Sequence, residues 1–405
     1  MLIDKMIRFI RQNKLYSLGV KKVPLRLENY ESKINHFINF LMPYFYYDKS
    51  LVTFVRNKKA PSDFHLIIDN VLRNAEKIPC GLLFSIYDFC FMYCFFDKLP
   101  ALRSAALLSM ERQLRDKLMK KDMCSDEAFK AYFLACIELG KVDKVKDVLE
   151  LISSEDRKLS ESLLKTLVFQ SEKISNYFKL KSDFFDLSRS RSGVDKSYYN
   201  YISGKTVAIV GPADSDEFSG AEIDSFDVVV RLNVKNLESS DDSDYAKIYG
   251  SKTDVAYYSS LAKKTNFALL ENTLSFAVVP EGMADSINYS NKILIRGRTH
   301  TPDFVNGSPN MIPIAIFDLL NFSPSYIKVF KCDFYSGKKI YRDNYFQGTS
   351  MTNIINLALH DQLSQLSFVK NVYNSGLIDA DEACSKVLKM QPEEYFSILS
   401  NNFNG

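Results

Sequence analysis

The chain has 405 residues, 46% of them hydrophobic and 25% charged, with 15 Gly and 12 Pro. This is the balance of a globular protein long enough for two or three domains. A net charge of +3 excludes wholesale nucleic-acid binding, yet leaves enough Lys and Arg to hold an anionic substrate or lipid surface. Seven cysteines, an odd number with no CxxC pair, exclude a secreted disulfide framework and point to free thiols in a reducing cytosol. Four histidines without ligand spacing give no support for a metal site.

The first segment, "MLIDKMIRFIRQNKLYSLGVKK", lacks the continuous apolar region and cleavage site of a signal peptide. Leu2, Ile3, Met6, Ile7, Phe9 and Ile10 alternate with Lys5, Arg8 and Arg11. That pattern predicts an amphipathic helix, packing on its own domain or lying peripherally on the cytoplasmic face of the inner membrane. The apolar run Gly81–Phe96 is too short to span a bilayer and carries Asp88, so it reads as a buried helix. Through to residue 195, apolar residues recur at three- and four-residue intervals. Ser125 and Gly140 frame one helix as N-cap and C-cap. Residues 1–195 therefore form an irregular all-α accessory domain, either a partner-binding scaffold or a structural accessory.

The polar stretch Ser188–Lys205 reads as a linker. Beyond it, "TVAIVG", "DVVVRLN", "TDVAYYS", "LSFAVVP", "KILIRG" and "YIKVFKC" are short β-branched runs separated by loops or helices. Continuous apolar strands of this kind predict an α/β domain over 196–405, a Rossmann-like, mostly parallel sheet buried on both faces. Ligands of such sheets bind outside the carboxyl ends of the strands.

After the first strand, "AIVGPADS" turns at Gly211, where a glycine permits close backbone approach. The next glycine is Gly220, and "VVVRLN" stands where a dinucleotide fold carries its ribose-binding acid. NAD is therefore disfavoured, and no GxxxxGK[ST] loop occurs.

"VAIVG", "SGAEIDSFDVVVRLN" and "YGSKT" together resemble the large sialyl motif of sialyltransferases of the animal type, through Gly211, Ser215, Gly220, Glu222, Ile223, Asp224, Asp227, Val230, Arg231, Asn233 and Gly250–Thr253. "SPNMIPIAIFDLLNFSPSYIKVFKCDFY" resembles the small motif, with Pro309 and Asn310 in its loop and Asp333, Phe334 and Tyr335 at its end. His360, Gly376 and Ile378 match the last motif. The likeness covers residues 205–380. Met311-Ile312 replaces the family's Ser/Thr-Gly, Gln365 replaces its Glu, and "YRDNYFQG" stands in place of its His-Tyr-Tyr without a histidine. The cysteine pair that joins the large and small motifs in Golgi enzymes is missing, in keeping with a cytoplasmic, bacterial-type enzyme.

The resemblance implies a GT-A-like variant of the Rossmann sheet. It implies an inverting glycosyltransferase that moves a 2-keto sugar acid, sialic acid or Kdo, from its CMP donor to a glycan or glycolipid hydroxyl of capsule or lipopolysaccharide. No metal or other cofactor is expected, because CMP is a good leaving group. His360 is the candidate general base, since histidine titrates near the operating pH. Gly211, Pro212, Ser215, Asn233, Ser251, Lys252, Asn310 and Met311 are the candidate CMP-binding residues, with a helix N-terminus after Asn310 facing the phosphate. His300 either replaces the absent motif histidine or sits in a surface loop. Arg231 either reads the sugar carboxylate or pairs with Asp224 or Asp227. Gln365 is a further candidate, while Glu222 and Asp224 read as loop braces or helix caps. Two alternatives remain: a catalytically degenerate partner-binding module, and a glycosyltransferase using another nucleotide sugar.

Overall fold

The computed structural model describes residues 64–404 apart from 79, 93, 120–125, 154–159, 179–192, 235–242, 260–261, 263–264, 288–291, 344, 346–356 and 358–359. The expected N-terminal amphipathic helix and the Ser125 cap lie outside the described residues. The chain divides into two compact units, Met1–Ala135 and Cys136–Gly405.

Every regular element among the described residues of the first unit is helical: α1 (Phe64–Arg73), α2 (Cys80–Met92), α3 (Leu99–Met119) and most of α4 (Asp126–Glu138). The apolar run of α2 is buried as expected, with Leu83, Phe84, Tyr87 and Phe91 all inside. Arg103 of α3 lies 5.9 and 5.5 Å from the ring centres of Phe84 and Tyr87, so its charge rests on aromatic faces. Among the described residues, no helix is long and apolar enough to cross a membrane.

The second unit begins with α5 (Val142–Ser153), α6 (Glu161–Gln170) and α7 (Glu172–Phe178), followed by α8 (Gly193–Ile202). The sequence assigned the first three to the helical half, yet they fall in the same compact unit as the sheet, and α6 packs on its elements. Phe169 of α6 meets Phe317 edge-on at 5.5 Å, and Ser162 donates to the Thr301 carbonyl at 2.6 Å. Helical periodicity shows that a face is buried but not what covers it. The stretch read as a linker contains α8, which buries Tyr198 and Ile202, one turn apart, under its polar surface.

Among the described residues the sheet has seven strands, all parallel, in the order β5-β4-β3-β2-β1-β6-β7. They are β1 (Thr206–Val210), β2 (Val228–Leu232), β3 (Val255–Tyr257), β4 (Phe276–Pro280), β5 (Leu294–Arg298), β6 (Tyr326–Phe330) and β7 (Asp379–Ala380). This is the Rossmann-like α/β architecture expected. β1 to β5 step outward on one side; the chain then returns through α11 (Met311–Leu320) to place β6 on the other side of β1. Short helices α9 (Gly220–Asp224) and α10 (Ser243–Tyr249) link the first three strands, and α12 (Gln362–Asn374), α13 (Glu382–Lys389) and α14 (Pro392–Asn404) follow β6.

Several residues of the large-motif resemblance hold this frame together. Asp227 accepts from the amide and hydroxyl of Thr206, tying the start of β1 to β2. Asp224 accepts from the amides of Ser251 and Lys252, as a loop brace would. A β-carbon on Gly220 would stand 2.0 Å from the Ala246 carbonyl oxygen and 2.7 Å from that of Lys247, both backbone atoms of α10. Gly220→Ala is therefore expected to destabilise the unit by about 1–3 kcal/mol, as overpacking does. Urea unfolding checks this, and an unchanged midpoint would show that α9 and α10 separate freely.

Candidate functional site

Strand order reverses at β1, whose neighbours are β2 on one side and β6 on the other. Such a switch point is where parallel sheets place ligands. A cavity of about 720 Å³ opens at the carboxyl ends of the strands. That volume suits a small-molecule ligand.

Strands β1 to β6 contribute through their last residues or those that follow. Pro212 and Ala213 enter from β1, Leu232 and Asn233 from β2, and Ser259 from β3. Asn233 holds φ +50, a conformation open to asparagine at modest cost. Its Oδ1 accepts from the Ser259 amide at 2.9 Å and hydroxyl at 3.2 Å, which fixes the amide plane at the cavity wall. Gly211 does not line the cavity. A β-carbon there would stand 2.3 Å from the Lys331 carbonyl, so this glycine serves the close approach of the β1 and β6 loops.

The β6 loop is strained. Lys331, Phe334 and Tyr335 have φ of +52, +49 and +67, although none is glycine. The turn is held by Asp333, whose carboxylate accepts from the amides of Tyr335 and Gly337, each at 2.9 Å. Desolvation raises the Asp333 pKa to about 6, with those two amides opposing the shift. Tyr335 meets Tyr341 edge-on at 5.7 Å, and Tyr341 lies 5.3 Å from Tyr345. All three line the cavity, giving it an aromatic wall suited to a planar ring or a sugar face. Tyr341 and Tyr345 come from the "YRDNYFQG" segment, which carries no histidine.

Pro309, Asn310 and Met311 also line the cavity, and with them the first turn of α11. The first-turn amides of Met311 and Ile312 have no partner within the helix, and Pro313 has no N–H. The Asn310 Oδ1 is buried without a hydrogen bond. An unsatisfied acceptor and a helix N-terminus at one wall suit a ligand bearing both a donor group and negative charge.

His360 lines this wall too. Its Nδ1 lies 2.9 Å from the Ser308 carbonyl oxygen and 3.4 Å from the Ser308 hydroxyl. A carbonyl only accepts, so Nδ1 carries the proton, and the neutral ring keeps an unprotonated Nε2. Desolvation depresses the His360 pKa, with the Ser308 contact opposing it. Gln365 locks the arrangement. Its Oε1 accepts from the Asn310 amide at 2.9 Å, while its Nε2 donates to the carbonyls of Ser308, at 3.0 Å, and His360. A glutamine does both because it carries donor and acceptor on one group. An ionised glutamate does not. Gln365→Glu should therefore cost about 1–3 kcal/mol by leaving buried carbonyls facing a carboxylate. A melting temperature equal to that of the unsubstituted chain would contradict the bridge.

Five other candidates, Ser251, Lys252, Arg231, His300 and Ser215, lie elsewhere. Ser251 and Lys252 do not reach the cavity. They precede β3, so they sit at the opposite end of the sheet, where Lys252 Nζ donates to the carbonyls of Phe226 and Asp227 at 2.6 and 2.7 Å. Arg231 takes a role named by neither alternative. It donates to the carbonyls of Tyr249, Gly250 and Lys252 and holds the loop before β3. His300 lies 3.8 Å from Glu161, away from the cavity lining. Ser215 also braces: its hydroxyl accepts from Lys331 Nζ at 3.1 Å, and that ammonium is further held by Glu217 and Ser219.

Residues not singled out from sequence complete the site. Lys331 and Arg298 both line it, and each occupies the last position of, or the first position after, a parallel strand. That position was the available signal. Comparison with models of protein families, with curated proteins and with solved structures finds no match for this chain.

Proposed function

We propose that the chain is an inverting glycosyltransferase that moves a 2-keto sugar acid from CMP to an acceptor hydroxyl, as the resemblance to animal-type sialyltransferases implies. One observation carries this reading. At the switch-point cavity, His360 has its Nδ1 proton directed to a carbonyl and so keeps Nε2 as an acceptor, on the same wall as the N-terminus of α11.

In this reading the α11 amides and Asn310 hold the CMP phosphate and stabilise the charge that develops as it departs. Asn233 and the 212–213 loop hold the cytidine, and the tyrosine wall packs the sugar or base. His360 Nε2 takes the proton from the acceptor hydroxyl as that oxygen attacks the anomeric carbon. The anomeric carbon is tertiary and bears a carboxylate, so its transition state is oxocarbenium-like, and departure of CMP needs charge stabilisation above all. The acceptor belongs to a surface glycan such as capsule or lipopolysaccharide.

Calorimetric titration with CMP, UMP and GMP, followed by transfer assays with CMP-sialic acid and CMP-Kdo, tests the proposal. Selective CMP binding with transfer supports it. Absence of CMP binding overturns it, CMP binding without transfer favours a degenerate binding module, and preference for UMP or GMP favours another nucleotide sugar.

A further inference from the structure

Arg298 ends β5 in the wall of the cavity and is 8% exposed. A guanidinium has five N–H donors. Among the described residues this one makes a single hydrogen bond, from Nη1 to the Tyr258 carbonyl at 2.8 Å, and has no carboxylate within 4 Å. The other buried cations of this unit are occupied. Arg231 serves the 249–253 loop, Lys331 is held by Ser215, Glu217 and Ser219, and Lys165 is paired with Glu161. Arg296 lies two residues before Arg298 and takes both oxygens of Asp318, at 2.7 and 3.2 Å, and one of Asp195 at 2.6 Å.

The nearest source of compensation is thus consumed by a neighbour. A buried cation is costly unless it is paired and hydrogen-bonded. Desolvation accordingly pulls the Arg298 pKa below the ordinary arginine value. A cation in this state, facing a small-molecule cavity, is arranged for an anion that comes with the ligand. The helix N-terminus at Asn310 already provides for one anionic group. Arg298 provides for a second, and its planar fork matches a carboxylate.

We propose that Arg298 reads the carboxylate of the transferred sugar, so that the substrate class of this cavity is an acidic sugar held through two separate anionic groups. This rests on the CMP-donor reading and deepens it, and it moves the carboxylate contact from Arg231 to Arg298.

The test measures binding of CMP, of the tighter-binding of CMP-sialic acid and CMP-Kdo, and of that donor's C1 carboxamide. It uses the full chain, Arg298→Met and Arg298→Lys. The unsubstituted protein should prefer the acid to the amide by roughly 30-fold or more, the usual effect of unpairing one side of a buried charge contact. Arg298→Met should lose that preference and bind CMP as before, and Arg298→Lys should restore part of it. If Arg298→Met fails to fold, the acid-against-amide comparison on the unsubstituted chain decides alone. Equal binding of acid and amide overturns the inference. So does a loss of CMP affinity in Arg298→Met equal to the loss for the donor, since Arg298 then holds the phosphate. If CMP itself does not bind the unsubstituted chain, the donor reading falls and this inference with it; if CMP binds but acid and amide are not distinguished, only the inference falls.

Discussion

Replacing His360 with alanine should slow sugar transfer by about 10²–10⁴-fold, the usual contribution of a positioned general base, and leave CMP binding nearly intact. The expectation follows from the tautomer. The Ser308 carbonyl holds the proton on Nδ1, so Nε2 is free to accept. The base works only when neutral, and desolvation favours the neutral form by lowering the pKa from its ordinary value of 6.5. Turnover should therefore rise with pH up to a midpoint below 6.5 and stay flat through neutrality. His360→Gln keeps a donor for the Ser308 carbonyl but has no basic nitrogen. It should be as slow as the alanine variant. Retained turnover in either variant, or a midpoint at or above 6.5, would remove His360 from the base role.

Asp318→Ala should destabilise the sheet unit by about 3–5 kcal/mol, because it removes one side of a buried ion pair and leaves the other charge behind. Arg296 donates to both Asp318 oxygens, and Tyr257 donates to Oδ2 at 2.6 Å. The guanidinium is stacked against Phe322 at 4.3 Å and Tyr198 at 4.8 Å and is almost wholly shielded from water. After the substitution, only the half-exposed Asp195 remains to balance it. The melting temperature should fall on the order of 10 °C. Asp318→Leu with Arg296→Met should recover most of the loss, since two apolar groups of similar volume replace the pair. A drop under about 1 kcal/mol for the single variant would place the pair among weakly coupled surface contacts.

The strands were legible because each is a short β-branched run with no competing helical period. β7 was not, having two residues. α8 was missed because polar residues surround it; Tyr198 and Ile202 alone carry its buried face. Of the candidate ligand-facing residues, Pro212, Asn233, Asn310, Met311 and His360 stand at the cavity. Ser251 and Lys252 do not, for a reason available in principle. In a parallel sheet, residues that precede a strand and residues that follow one lie at opposite ends. Arg298 was illegible for a different reason. Its isolation depends on Asp318 being taken by Arg296, a contact between β5 and α11 that no local pattern reports.

The crossing from β5 through α11 to β6 also has a kinetic meaning. Thr206 pairs with Tyr326 and Ile209 with Val329, partners roughly 120 residues apart, and such non-local pairing is slow to form. The cavity needs the loops of both β1 and β6, so no partly folded form lacking that pairing has a place for ligand. During refolding, recovery of nucleotide affinity should lag behind recovery of helical signal, and the lag itself times the closure of the sheet's centre.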